Sequence, residues 1–135
     1  ENDAAILVMG DFNDEPTNRS ILQILNATNK RKNLHYRDLF NLMYDQHNIS
    51  GEGTLLYKDS WQMFDQLIVS QSVLNKGSGY YCLPSDGKVF KSEQVVKKDP
   101  STGNPVISRT YSGDKYLGGI SDHLPVYRIL RKDGK

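Results

Sequence analysis

The stretch that decides the fold is residues 61–70, which read WQMFDQLIVS. It is rich in aromatic and branched residues, as β-strands are. Because side chains alternate along a strand, Met63, Leu67 and Val69 share one face while Ile68 lies on the other. Both faces therefore carry apolar side chains, and the pattern predicts a central strand that is covered on both sides.

The segments around this strand predict a mixed α/β chain. Apolar residues at helical spacing indicate helices, and short branched runs bounded by Gly or Pro indicate strands. The predicted elements are a strand buried on both faces in residues 4–12, an amphipathic helix after Thr17 that includes Ile21 and Leu25, a shorter helix that includes Tyr36 and Met43 and ends before Asn48, a strand in residues 54–57, short strands or hairpins with a long loop in residues 76–119, and a closing strand in residues 126–130.

Length and composition limit the class of protein. The chain has 135 residues, the size of one domain, and a net charge of +1, so no global field indicates nucleic acid or a membrane surface as partner. Its single cysteine, Cys82, excludes an internal disulfide and makes a zinc site implausible. The longest apolar run is far shorter than a membrane span, so we expect a soluble chain without membrane insertion.

The first candidate site is the tetrapeptide in residues 10–13, GDFN, at the end of the first strand. Alternation places Asp11 and Asn13 on the same face at the carboxyl end of that strand, where ligand sites of α/β sheets tend to lie. An Asx turn that closes the strand is an equally good interpretation of these residues. An EF-hand is excluded, because Pro16 and Leu22 stand where its Gly and Glu would be required.

Two further groups carry possible chemistry. Asp65 lies in the most apolar strand, and a buried charge there needs a partner, unless it is a strand-end acid bonded to backbone. Asp122 and His123 lie together in residues 118–125, GGISDHLP, and place an oxygen ligand beside an imidazole. If His123 meets Asp65, the pair would present a cationic donor to an anion. A serine-hydrolase triad of Ser121 with these neighbours is excluded, because consecutive extended residues point to opposite faces.

Three motifs in series resemble the endonuclease/exonuclease/phosphatase superfamily, also called deoxyribonuclease-I-like. They are GDFNDEP in residues 10–16, Gly53-Thr54 followed by Trp61 and Asp65 ahead of QLIVS, and SDHLPV in residues 121–126. The resemblance covers the carboxyl-terminal half of the family domain. It implies an α/β (α+β) fold that forms half of a four-layered α/β/β/α sandwich, with a mixed, mainly antiparallel sheet and helices on one face.

The resemblance also implies a reaction and roles for five residues. Family members hydrolyse phosphodiesters or phosphomonoesters with a divalent metal, usually Mg²⁺, with Mn²⁺ as an alternative. By this resemblance Asp11 would orient or deprotonate the attacking water, and Asn13 would hold that water or a phosphate oxygen. Asp122 would serve the metal site. His123, paired with Asp65, would bind the phosphate and neutralise its charge.

The chain departs from the family pattern at the metal site. The principal metal-binding glutamate of the family lies in the amino-terminal half, and here Glu1 and Glu15 are candidates only by composition. We therefore expect residues 1–135 to be one domain without its amino-terminal half, carrying half an active site and weakly active or inactive alone. An open apolar sheet face should make the chain self-associate.

The substrate is not specified by these motifs. A phosphate ester is implied, and nucleic acid, phosphorylated sugar, inositol phosphate and phospholipid head group all remain open. Tyr111 and Tyr116 lie near the last motif and could stack on a base or sugar, although exposed tyrosines are more often packing residues. His35 and His47 lie in polar context and are taken as surface residues. The alternative function is a non-catalytic module that binds an anionic partner or nucleic acid through a basic segment with Lys88, Lys91, Lys97, Lys98 and Arg109.

Overall fold

The computed structural model describes residues 4–77 and 79–134 of a mixed α/β chain built mostly of short strands. The strands are β1 Leu7–Asp11, β2 Ala27–Thr28, β3 Leu39–Asn41, β4 Leu55–Tyr57, β5 Ser60–Gln62, β6 Asp65–Ser70, β7 Tyr80–Tyr81, β8 Lys88–Val89, β9 Val96–Lys98, β10 Pro105–Ile107, β11 Tyr111–Ser112, β12 Lys115–Tyr116, β13 Val126–Tyr127 and β14 Arg131–Lys132. Helical structure consists of the α-helix α1 Tyr44–Asn48, a π-helical turn Ser20–Ile24, and 3₁₀ turns Arg31–Asn33, Gln71–Leu74 and Pro84–Asp86.

The main sheet has four strands in the order β1-β6-β3-β2. β1 and β3 both pair antiparallel with β6, and β2 pairs parallel with β3, so the sheet is mixed and mainly antiparallel, as predicted. The β1–β6 register runs from Leu7 opposite Val69 to Asp11 opposite Asp65. β6 therefore occupies the central position that its two apolar faces predict.

The core lies on both faces of β6. Leu67 and Val69 belong to a large cluster with Phe40, Met63 and Cys82, and Ile68 belongs to a smaller one on the opposite face. Complete burial of a side chain such as Leu67 stabilises the fold by about 1.5–3 kcal/mol. The alternation in residues 61–70 thus fixes the orientation of the strand that carries Asp65.

The first predicted strand is correct in place but not in burial. Val8 packs against the cluster that contains Ile21, whereas Leu7 is 41% and Met9 61% exposed. β1 is the edge strand of the sheet, and no element of residues 4–77 or 79–134 covers its Leu7–Met9 face. Its continuous apolar run reflects one buried face and one open face.

The helix predictions need correction. The helix expected after Thr17 is only the π-helical turn Ser20–Ile24. The second helix, expected to include Tyr36 and Met43 and to end before Asn48, is wrong in its first part, because Leu39–Asn41 form strand β3 and the helix α1 begins only at Tyr44. Short apolar runs fit either period, and pairing with β6 decides in favour of the strand.

The remaining strands form two-stranded ribbons. Residues 61–70 are split into β5 and β6, and the closing strand stops at Tyr127, with β14 following separately. β9–β10 and β11–β12 are hairpins, as expected for residues 76–119, while β8 pairs with β13 and β7 with β14. Within the described ranges, the helices are too short to cross a membrane. The sandwich layering stays a prediction.

Candidate active site

Two carboxylates face each other at one end of the main sheet. Asp11 ends β1 and Asp65 begins β6, and the two residues are direct partners in the antiparallel ladder. Partners in such a pair project to the same face of the sheet, with Cα atoms about 4.5–5.5 Å apart. Like charges in this arrangement repel, so the site favours a cation nearby.

His123 supplies a partner for one of these carboxylates. Its Nδ1 lies 2.7 Å from Oδ2 of Asp65, and both side chains are largely buried. Because a carboxylate only accepts hydrogen bonds, Nδ1 carries the proton and Nε2 is the ring nitrogen left for a ligand. The pairing expected from the sequence is therefore present, and the carboxylate of Asp65 bonds to a side chain rather than to backbone.

Thr54 joins the segments that carry this pair. It is fully buried, its hydroxyl accepts a hydrogen bond from the Asp65 backbone N–H at 3.1 Å, and its carbonyl accepts one from the Leu124 N–H at 2.7 Å. Leu55, the next residue, forms a β-bridge with His123. Sequence analysis noted Thr54 only as part of a motif. In the structure, Thr54 and Leu55 connect the segment that carries Asp65 to the segment that carries His123.

The loop after β1 turns sharply at Asn13. The Asn13 backbone has φ of 51°, in the left-handed region, and its N–H donates to Oδ1 of Asp11 at 2.8 Å. This is the Asx turn of the alternative interpretation, and it uses one carboxylate oxygen of Asp11. The structure thus keeps Asp11 and Asn13 together and leaves both exposed. Their roles in a reaction stay predictions.

Further hydrogen bonds hold the same loop at Asp14. The hydroxyl of Ser20 and the amide of Asn18 donate to the two carboxylate oxygens of Asp14, at 2.5 and 2.6 Å. These bonds keep the pKa of Asp14 below its usual value of 3.8. The segment from Asp14 to Ser20 is therefore closed on itself next to the candidate site.

A buried amide pair ties this loop to the core. Gln66 is fully buried, and its Nε2 donates to the carbonyls of Asp14 and Met63 at 2.5 and 3.2 Å. Its Oε1 accepts from Asn41 Nδ2 at 2.6 Å, and Asn41 Oδ1 accepts from the Met43 N–H at 3.0 Å. These four hydrogen bonds form a buried relay, and all of them are internal to the protein. Sequence analysis missed Gln66, although a glutamine inside a strand that is otherwise buried and apolar is a signal for such a role.

Two predicted acids make no hydrogen bond or ion pair with Asp65 or His123 within the described ranges. Asp122 is exposed, and no hydrogen bond or ion pair joins its side chain to the rest of the described chain. Glu15 turns towards α1, where its Oε1 lies 3.4 Å from Nε2 of His47. The expectation of a surface His47 needs correction, since its ring is mostly buried and its Nδ1 lies 3.0 Å from the Glu52 carbonyl. His35 is exposed, as expected.

The described acids and histidines do not assemble a metal site. Among residues 4–77 and 79–134, no three His, Cys, Asp or Glu side chains are grouped so that they could hold an ion. Mg²⁺ uses one or two carboxylates together with waters and substrate phosphates. Carboxylates of this chain could therefore supply one or two oxygen ligands to such an ion, and the step proposed below is routed only through protein side chains and water.

The basic segment is partly occupied by internal contacts. Lys91 forms an ion pair with Glu52 and lies 4.8 Å from the ring centroid of Trp61. Arg109 donates from Nη2 to the Leu56 carbonyl at 2.8 Å. The ion pair offsets the charge of Lys91, which reduces the positive charge that an anion-binding module would use, whereas Arg109 keeps its charge while its side chain is held in place.

Comparison with known families agrees with this geometry. A family model described as "Endonuclease/Exonuclease/phosphatase family" matches residues 1–132. The chain belongs to the endonuclease/exonuclease/phosphatase family. Neither the comparison with curated proteins nor the comparison with solved structures returned a match. Members of this family are typically hydrolases.

Proposed function

We propose that the protein takes part in the hydrolysis of phosphate esters by water, with no covalent intermediate on the protein. The observation that carries the proposal is the hydrogen bond between His123 and Asp65 at 2.7 Å, directly beside the Asp11 carboxylate. A carboxylate that fixes an imidazole makes it a good donor to an anion. Phosphoryl transfer relies on this kind of positioning and charge stabilisation.

Each side chain then has a defined part in the step. His123, held by Asp65 and in its imidazolium form, donates from Nε2 to a non-bridging phosphate oxygen and offsets its growing charge. Asp11 orients the attacking water and accepts its proton, and Asn13 holds that water or a phosphate oxygen. The water oxygen forms a new bond to phosphorus as the bond from phosphorus to the leaving alcohol oxygen breaks, and the leaving oxygen takes a proton from solvent.

The proposal includes a divalent ion, Mg²⁺ or Mn²⁺, with Asp122 as its oxygen ligand from this chain. Such an ion would add charge stabilisation at the phosphate when bound. We also propose that the chain is the carboxyl-terminal part of the family domain, so that it is inactive or weakly active alone. The open face of β1 supports this incompleteness.

Cleavage of bis(p-nitrophenyl) phosphate tests the function. Activity should appear when the chain is joined to an amino-terminal half of the family domain, and His123→Ala should abolish it. His35→Ala is the matched control, because this exposed histidine lies near the start of β3, at the opposite end of the sheet from Asp65, and should leave the rate unchanged. Equal rates for the two variants would refute the role assigned to His123. Robust Mg²⁺-dependent cleavage by residues 1–135 alone would refute the proposed incompleteness.

The alternative is a binding module that keeps the scaffold without the reaction. Lys97 and Lys98 are exposed on β9 and would contact an anionic partner. Binding alone does not need the Asp65–His123 pair, whose presence favours the enzyme. A pure binder would show no cleavage with or without the amino-terminal half, and its affinity for the anionic partner would not respond to His123→Ala.

A further inference from the structure

Two tyrosines of the β11–β12 hairpin project into solvent. Tyr111 and Tyr116 are cross-strand partners, 56% and 66% exposed, with ring centroids 5.3 Å apart in an edge-to-face arrangement. Tyrosines that packed a loop would be covered, and these are not. An aromatic pair in this geometry fixes both rings while leaving ring faces open.

The hairpin is joined firmly to the segment that leads to His123. The N–H groups of Leu117, Gly119 and Ile120 donate to the carbonyls of Thr110, Arg109 and Ser108, at 2.8, 3.1 and 2.6 Å. The backbones approach so closely at Gly119 that a Cβ there would clash with the carbonyls of Ser108 and Arg109. The four residue steps from Gly119 to His123 span at most about 14 Å. The tyrosines thus lie on a hairpin that is fixed to the segment leading to His123.

A groove extends along the base of this hairpin. It has a volume of about 310 Å³, and its walls include Leu56, Leu117, Lys58, Arg109 and Asp59. Leu56 directly follows Leu55, whose backbone bridges to His123. The two cations outnumber the one acid, and the walls also offer apolar surface. A chain-like anion that starts at His123 would find both cationic and apolar contacts along this path.

We propose that the hairpin is a stacking subsite for an unpaired nucleobase, and that the ligand is a single-stranded nucleic acid whose phosphodiester lies at His123 and Asp65. The inference rests on the proposed function, because it takes that pair as the phosphate site. Aromatic side chains bind bases through their ring faces whatever the sequence. A phosphorylated sugar or an inositol phosphate has no aromatic ring, so its contact with these tyrosines would lack base–aromatic stacking.

Binding of labelled oligonucleotides tests this subsite without any need for cleavage. Fluorescence anisotropy compares a single strand of about 12 nucleotides with an abasic strand of the same length and charge. The chain should bind the normal strand at least about fivefold more tightly, since stacking contributes about 1–3 kcal/mol per base. Tyr116→Ala should remove most of this preference, and Tyr116→Phe, which keeps the ring, should retain it.

Tyr36→Ala is the matched control. Tyr36 is also exposed and also contacts another ring, that of His35, but it lies near the start of β3, away from Asp65. Its removal should leave the base preference unchanged. Equal affinity for the normal and abasic strands would overturn the proposal, as would a preference that survives Tyr116→Ala, or binding of inositol phosphate but not of the oligonucleotide. A base preference without cleavage in the joined protein would support the subsite and refute the proposed hydrolysis.

Discussion

Replacing Gln66 with leucine tests how the loop that carries Asn13 is held. Gln66→Leu keeps an apolar side chain of similar length on β6 but removes the internal bonds to the carbonyls of Asp14 and Met63. It also leaves the Nδ2 of Asn41 without its acceptor, in a residue that is 1% exposed. The substitution therefore removes three of the four hydrogen bonds of the buried relay.

The magnitude follows from these bonds. A buried donor without a partner costs about 1–3 kcal/mol, and each lost hydrogen bond about 0.5–1.5 kcal/mol. The leucine recovers part of this through its apolar surface. We expect Gln66→Leu to lower the free energy of unfolding by about 3 kcal/mol. The double variant with Asn41→Leu should lose less than the two single losses together, because it removes the orphaned donor.

Urea unfolding followed by circular dichroism measures this change, and amide hydrogen exchange locates it. Exchange should accelerate in the loop that contains Asn13 well before the core opens. Gln62→Leu is the control, since the half-exposed side chain of Gln62 on β5 makes no hydrogen bond within the described ranges. A loss no larger than that of the control would show that the relay does not hold the loop.

Three further predictions concern stability and association. Thr54→Val should lower the free energy of unfolding by about 1–2 kcal/mol, because the Asp65 N–H loses its acceptor, and Thr54→Ser should restore it; thermal unfolding of the two variants would differ little if this bond were unimportant. Burial raises the pKa of Asp86, but hydrogen bonds from Arg131 and from backbone more than offset this, so its pKa lies below the usual 3.8. The Asp86–Arg131 pair therefore stabilises the fold above pH 3.8, and this stabilisation is lost as pH falls through the folded-state pKa of Asp86. Arg131→Gln should make the free energy of unfolding fall less steeply at acidic pH. An unchanged dependence on pH would contradict this. The exposed face of β1 should make the chain dimerise at high concentration, and Met9→Lys should weaken the dimer in sedimentation velocity, whereas a wild-type monomer at every concentration would rule the association out.

The central strand and the Asp65–His123 pair follow from the sequence because they depend on local patterns. Alternation in residues 61–70 identifies β6, and a carboxylate in an apolar strand requires a partner, which His123 provides. The mixed, mainly antiparallel sheet follows only from the resemblance to the family, because its antiparallel pairs join strands that are far apart in the sequence.

The errors concern choices that only tertiary contacts make. The run that includes Leu39 and Phe40 fits a helix as well as a strand, and its pairing with β6 determines the strand. The burial of β1 was overestimated because an apolar run does not indicate whether a second layer covers it. Gln66 and Thr54 were not assigned roles, since their hydrogen-bond partners lie far away in the sequence, at Asn41 and Asp65 respectively.

The direct test of the phosphate site is a titration of the chain with dimethyl phosphate, observed through the histidine ring resonances by NMR. The ring signals of His123 should shift with saturation, those of His35 should stay in place, and Asp65→Asn should reduce the affinity because the imidazole loses its charged partner. Shifts of equal size at His123 and His35, or an affinity unaffected by Asp65→Asn, would contradict the assignment of this pair as the group that binds phosphate.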